Sequence, residues 1–338
     1  MELNTKKQIE YLLKITDKVG LIEHCIYHEP NYIEGWCVDD NARALQICLR
    51  YKDPKLEKSK PIYFSFLESA LRNDSFYDDL NQDLTWKEGF EVGGEHCGRT
   101  LVALGEIIKF DPKLKKKAII MFDQIYELVK NNQNYWTRVM AHTILGLQYY
   151  KKEEINFWAK KLLKKYLIEK TKDWKWFDQE MTYDNGRVPK SLLVAYQQTK
   201  NNKYLEIAIE SLDFLTEITF DKKRKCFSFP GNRGWFTKSG NRAVFDQQPI
   251  EAGTMVEVYT LAYKITKDKK YKKLALVAMS WYLGKNILGV DVIDEKTGGI
   301  YDGLEEKKVN QNQGAESVLS YLLAAKEIKK INKKPRNQ

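Results

Sequence analysis

Two short segments of the chain set carboxylate, amide and guanidinium groups in the same order. Asp39-Asp40-Asn41-Ala42-Arg43 and Asp184-Asn185-Gly186-Arg187 share the pattern Asp-Asn-x-Arg, and each leads into an apolar helical stretch. One acid at such a place is a helix cap, because its carboxylate accepts the free N–H groups of the first turn. Capping does not require the same four positions to recur. General acid–base chemistry does use adjacent carboxylates beside a guanidinium: like charge raises the pKa of one acid, and a cation or a helix N-terminus keeps another ionised.

More polar sets stand before or within other apolar stretches. They are Glu95, His96 and Arg99; Tyr135, Trp136 and Arg138; Asp246, Gln247, Gln248 and Glu251; and Gln311, Asn312, Gln313 and Glu316. Asp40 and Asp246 are the first choice for an acid/base pair, with Asp39, Glu95, Asp184 and Glu251 as further carboxylates. Trp36, Asn41, Arg43, His96, Arg99, Trp136, Arg138, Asn185, Arg187, Arg242, Gln247, Gln248, Gln313 and Glu316 are the expected substrate-binding set. The chemistry suits sugars, whose CH faces stack on aromatic rings and whose vicinal hydroxyls take planar donors such as guanidinium. Trp36, Trp86, Trp136, Trp174, Trp176 and Trp235 fall in or beside loops, Trp158 and Trp281 in helices. The plainer readings are core packing for the rings and ion pairing for the arginines.

These groups must be held by helices. Helical periodicity predicts twelve, at 4–17, 38–51, 61–74, 94–110, 112–131, 135–150, 153–169, 188–200, 202–219, 249–266, 268–287 and 313–330. The odd-numbered ones are amphipathic and lysine-rich; the even-numbered ones are apolar nearly all round. A helix apolar all round is buried and an amphipathic one covers it. The even-to-odd connections are mostly short and the odd-to-even ones mostly long, so the long loops gather at the N-termini of the inner helices. Loops above about 12–15 residues in a compact domain are usually functional. The pattern predicts an all-α fold, an (α/α)6 barrel, spanning 1–338 as one domain. A solenoid of hairpins would repeat at a fixed period, and these helices do not.

The chain has 338 residues, 43% of them apolar and 12% aromatic, enough for a large core. Its net charge of +10 comes mainly from lysine runs mixed with acids along amphipathic helices. Such runs are solvated faces, and no nucleic-acid motif accompanies them. Five cysteines form no C-x-x-C pair or disulfide framework. No apolar run approaches the ~20 residues of a membrane span, and the polar N-terminus lacks a signal-peptide pattern. The expectation is a cytoplasmic protein with an oligosaccharide substrate, no cofactor, and neither nucleic acid nor membrane as partner. Cys37, His96 and Cys97, with His24 and His28 nearby, match no zinc-ligand spacing.

Gly35-Trp36-Cys37-Val38-Asp39-Asp40-Asn41-Ala42-Arg43-Ala44-Leu45, Asp173-Trp174-Lys175-Trp176-Phe177 followed by Tyr183-Asp184-Asn185-Gly186-Arg187-Val188-Pro189, Phe245-Asp246-Gln247-Gln248-Pro249-Ile250-Glu251-Ala252 and Gln313-Gly314-Ala315-Glu316-Ser317 resemble a bacterial and archaeal family of six-hairpin glycosidase-like proteins. The resemblance covers nearly the whole chain. Members are encoded near glycosyltransferases or mannoside phosphorylases, which implies carbohydrate metabolism, with mannosides among the expected substrates. The adjacent aspartates are also similar to those of bacterial endo-α-1,6-mannanases of the same barrel type. The rest of that motif differs, so no nucleophile or acid role is carried over. The expected activity is an inverting glycoside hydrolase. Alternatives are a phosphorylase or another enzyme of anionic sugars, a zinc-dependent cyclase, and a non-catalytic carbohydrate-binding barrel.

Overall fold

The computed structural model describes residues 3–72, 74–89, 93–132 and 136–332. Among them are twelve α-helices in six consecutive pairs. The pairs are α1 (Lys6–Lys14) with α2 (Val38–Arg50), α3 (Pro54–Ala70) with α4 (Glu95–Phe110), and α5 (Lys115–Asn131) with α6 (Thr137–Leu147). They continue with α7 (Ile155–Glu169) and α8 (Arg187–Thr199), α9 (Asn202–Thr219) and α10 (Pro249–Thr266), and α11 (Lys269–Ser280) and α12 (Ala315–Asn332).

The even-numbered helices form a closed inner ring. α2 packs on α4, α4 on α6, α6 on α8, α8 on α10, α10 on α12, and α12 returns to α2. The odd-numbered helices lie outside and cover them. This is the (α/α)6 barrel expected from the alternation of all-round and one-sided apolar helices. One continuous apolar cluster runs from Leu3 to Ile331. Small residues set the spacing in places. A Cβ on Gly105 would meet the Gly146 carbonyl oxygen at 2.6 Å, so α4 and α6 approach backbone to backbone there.

Several boundaries differ from the sequence expectation. Pro61 reads as a helix start, but α3 begins one proline earlier. Asp53 caps it by accepting from the amides of Lys55 and Leu56, and Pro61 lies inside the helix. α1 ends early because the Asp17 carboxylate accepts from Val19 N and Gly20 N and folds the chain into a turn. α11 stops at Ser280, before Gly284 takes a left-handed φ of 80°. The expected start of α6 at 135 lies outside the described residues.

Among the described residues the long connections carry two-residue strands. Trp36–Cys37 pairs with Asp79–Leu80, and Phe236–Thr237 with Glu180–Met181, tying together loops distant in sequence. Three of the outer helices carry side-chain caps, while α1, α5 and α7 have none. Asp53, Asn201 and Asp268 cap outer helices with their side chains. α2, α4, α6, α8 and α10 have no side-chain cap. The acids at the inner N-termini therefore do other work.

Candidate active site at the loop-bearing end of the barrel

α2 begins at Cys37 as N-cap, which puts Asp39 and Asp40 inside the first turn rather than before it. Neither is a cap. Neighbouring positions on a helix diverge by about 100°, so the two carboxylates face different ways. Asp39 takes a close ion pair from Arg99 of α4. Asp40 accepts from Arg43 Nη1 at 2.7 Å, and Arg43 Nη2 donates onward to Glu316 of α12 at 3.1 Å.

Above this layer lies a cavity of about 360 Å³. α2 supplies Asp39, Asp40 and Arg43, and α12 supplies Glu316 and Ser317. The loops supply Glu23, His24, Asp78, Asp79, Asn232, Asp246, Gln248, Asp302, Asn310 and Asn312. Eight of the lining residues are carboxylic acids; the bases are Arg43 and His24. His24 lies 3.4 Å from Glu23, and that bond lifts its pKa to about 9. Burial lifts Asp40 to about 6 against the pull of Arg43, with Glu23 and Asp39 adding to the rise. Burial, then Asp39, drives Asp78 well above the carboxylate range. Burial also raises Glu316 and Asp302. Asp39 goes the other way: Arg99 and Arg43 outweigh its burial and hold it ionised. The cavity thus combines carboxyls whose proton affinity burial raises with one, Asp39, whose proton affinity the arginines lower. Asp246 lies at the loop side, with Oδ2 accepting from Arg233 Nε at 3.0 Å and Oδ1 buried without a partner.

The remaining expected residues separate into three places. Glu95, Trp136 and Arg138 line a neighbouring depression with Tyr183 and Thr182. There Glu95 accepts from Arg138 Nε at 2.7 Å, Arg99 Nη2 at 3.1 Å and the Tyr183 hydroxyl at 3.0 Å, and Arg138 stacks on the Tyr183 ring. Tyr135 lies outside the described residues.

A second group lies down the bore, below the acidic cavity. Asp184 receives Arg187 Nε at 3.1 Å and faces His142 Nε2 at 3.2 Å and Arg99 at 3.6 Å. Arg187 continues to Glu257 at 2.9 Å, and Arg50 joins Glu257 at 4.0 Å to Glu106. A chain of ion pairs therefore links α8, α10, α2 and α4 across the ring. Glu251 is fully buried beside Asn185, whose Nδ2 donates to it at 3.0 Å; burial lifts it to about 8. Asp184, Asn185, Arg187, Arg99 and Glu251 do not line the acidic cavity.

A third group is structural, which corrects the expected binding set. Trp36 is 3% exposed and packs in the core rather than offering a sugar platform; Trp174 and Trp176 are buried as well. Asn41 spends its amide on Leu21 N and the Cys37 carbonyl. Gln247 holds Phe229 N and the Val244 carbonyl, so only Gln248 of that pair faces the cavity. Gln313 is held by Asp294 and Thr297. Arg242 donates to the Ser228 carbonyl. His96 is buried, stacked on Phe76, and meets the Phe76 carbonyl at 2.8 Å through Nε2. Buried polar groups must be satisfied: Asn41, Gln247, Arg242 and His96 find backbone partners, and Gln313 finds side chains.

Sequence reasoning missed Glu23, Asp78, Asp79, Asn232, Asp302, Asn310 and Asn312. The loops bearing them stood out by length, but nothing in an aperiodic segment marks which side chain turns inward. It also missed Arg50, His142, Lys190, Glu106 and Glu257. These had a signal: Asp39, Arg43, Gln46 and Arg50 recur at helical spacing, as do Glu95, Arg99, Val102 and Glu106. Among the described residues no group of three or more His, Cys, Asp or Glu is arranged to hold a metal ion, and no helix is long and apolar enough to cross a membrane.

A closed ring of six helical hairpins with a polar cavity at the N-terminal ends of its inner helices is an (α/α)6 barrel. Solved structures similar to the chain share it. A D-mannose isomerase superposes with a TM-score of 0.75 at 13% identity, covering 97% of this chain and 96% of that one. A cellobiose 2-epimerase from Spirochaeta thermophila gives 0.74 at 10%, covering 96% and 94%. An alpha-1,6-mannanase from Salegentibacter sp. gives 0.66 at 10%, covering 96% and 98%. Neither a protein-family model nor a curated protein matches the chain.

Proposed function

We propose that this protein is a carbohydrate-active enzyme that hydrolyses a glycosidic bond of an oligosaccharide, with inversion, in the acidic cavity. The observation that carries the reading is the charge of that cavity: eight acids against Arg43 and His24. Glycoside cleavage passes through an oxocarbenium-like, positively charged transition state, which a carboxylate field stabilises. Isomerisation or epimerisation by proton abstraction beside a carbonyl builds a negative enediolate, which the same field opposes. That opposition also speaks against phosphate or an anionic sugar as substrate here. The similar structures include enzymes of both reaction types, so the field is what separates them.

Asp40, lifted to about 6, serves as the general acid that protonates the leaving oxygen. Asp246 takes the proton of the attacking water, with Gln248 beside it. Their helices stand two apart in the ring. With inner axes roughly 8–10 Å from their neighbours, side chains reaching in from α2 and from the start of α10 leave room for a water, as inverting pairs require. The mannosides implied by the sequence resemblance, and by the mannanase among similar folds, are the first substrates to test.

The deciding experiment incubates the protein in D2O with α-1,6-linked mannooligosaccharides, and separately with mannose and cellobiose, and follows each by NMR. The reading expects new reducing ends, first formed with inverted configuration, and no deuterium at C2. Deuterium at C2, or a ketose or epimer without cleavage, would replace hydrolysis with proton-transfer chemistry.

A further inference from the structure

The barrel has a second cavity, at the end opposite the long loops. It measures about 370 Å³ and is bounded by residues of all six inner helices. That volume is within the range of small-molecule sites. Its walls mix Val102, Leu145, Val194 and Leu261 with charge. The charge has one sign in excess: eight arginines and lysines line it, against Glu106, Glu257 and Glu327. The carboxylates that partner Arg43, Arg99 and Arg187 from above, namely Asp39, Asp40, Glu316 and Asp184, are not part of this lining.

A plain reading is that these cations offset the helix ends. Each C-terminus carries about half a negative charge, felt only within the last turn. That accounts for Lys264 and Lys330, which stand in the last turns of α10 and α12. It does not account for Arg187 and Lys190. Both lie in the first turn of α8, where the macrodipole works against a cation. Lys190 is deep, contacts Glu257, and shares that carboxylate with Arg187 and Arg50. Burial, with Arg187 and Arg50 adding to it, pulls its pKa below the usual lysine range. Arg187 pairs also with Asp184 and Arg50 with Glu106, so the imbalance lies in the cavity face itself, where eight cations meet three acids.

We propose that this lower cavity binds a phosphate-bearing small molecule. Lys190 and Arg50 lie deep in the cavity, near the phosphate position, and the apolar wall of Val102, Leu145 and Val194 takes the rest. The space is closed round by six helices, so a nucleic-acid duplex or a protein surface does not fit. Arg43 borders both cavities, so an anion below acts on the same guanidinium that holds Asp40 above. The proposal does not depend on the reaction carried out at the acidic end.

Isothermal titration and thermal shift of the full chain test it, with inorganic phosphate and a hexose 6-phosphate as probes and the unphosphorylated hexose and sodium chloride of equal ionic strength as controls. Saturable binding and a raised Tm are expected with a phosphate probe and not with the controls. Tighter binding of the hexose phosphate assigns the site to a phosphorylated metabolite, and equal binding assigns it to the free ion. Lys190→Met and Lys326→Glu each lower affinity at least about tenfold, the scale of one hydrogen bond to a charged group. Asp246→Asn, in the other cavity and paired with Arg233 rather than Arg43, leaves phosphate affinity unchanged. Absence of saturable binding to the wild-type chain overturns the proposal. So does binding that survives both lysine variants, provided their Tm without ligand shows them folded.

Discussion

Arg43 and Glu316 lie 273 residues apart in sequence and meet at 3.1 Å, where the first inner helix touches the last. The contact closes the ring and joins the floor of the acidic cavity to the roof of the basic one. Arg43 also opposes the rise that burial gives the proton affinity of Asp40.

The first prediction concerns that proton. Burial raises Asp40 to about 6, Arg43 opposes the rise, and Glu23 adds to it. As general acid it must be protonated, so turnover falls as pH rises through about 6. Glu23→Gln removes a like charge and shifts this limb to lower pH. A pH–rate profile of both forms checks the direction; a shift to higher pH contradicts the assignment.

Asp40→Asn and Asp246→Asn should each cut turnover by at least ~10²-fold, the low end for an acid–base group. In the first variant the new side-chain amide oxygen still accepts from Arg43, and Asp246 is at a loop, so Tm moves little in either. Wild-type turnover in both variants removes them from the chemistry. Unfolding of both makes them structural.

Glu257 is shared by Arg187, Lys190 and Arg50, which outweigh its burial and hold its pKa below the usual range. A lowered folded pKa stabilises above the unfolded value and is lost as pH falls through the folded one. Wild-type stability should therefore decline below about pH 4.5, the ordinary glutamate value. Glu257→Gln should cost about 3–5 kcal/mol at neutral pH, as for breaking a buried pair, and should lack that acid limb. Urea denaturation across pH measures both.

Glu251 has the opposite sign. Burial lifts it from 4.5 to about 8. The folded state holds the proton that the unfolded state has lost, so stability falls as pH rises between those values. Glu251→Gln removes the ionisable group and flattens this slope, and its advantage over wild type grows toward pH 8. Tm against pH is the measurement, and parallel curves count against it.

Trp36 and Trp136 separate core from surface. Trp36→Ala should lose about 3–5 kcal/mol of stability, since the ring is 3% exposed, whereas Trp136 is 57% exposed. Trp136→Ala should stay within about 0.5 kcal/mol. Equal losses in urea denaturation would contradict the burial pattern.

The architecture was legible in the sequence because it depends on periodicity. Apolar residues all round α6 and α12, and on one side of α5, dictate which helices go inside, whatever their exact partners. Uneven loop length likewise marked the end that bears the acidic cavity. The gathering of Asp40, Arg43 and Glu316 followed from their places at the starts of inner helices. Direction was not legible. Asp39 and Asp40 are consecutive, yet one belongs to Arg99 and the other to Arg43, because a helix turns between them and different neighbours stand on each side. Trp36, Asn41 and Gln247 read as binding groups by type and became core and loop anchors, because buried backbone amides and carbonyls needed partners that the sequence does not name. Lys190 and Glu257 look like ordinary charges on separate helices. Only closure of the ring put them within reach of each other, away from water, and gave the barrel one acidic end and one basic end.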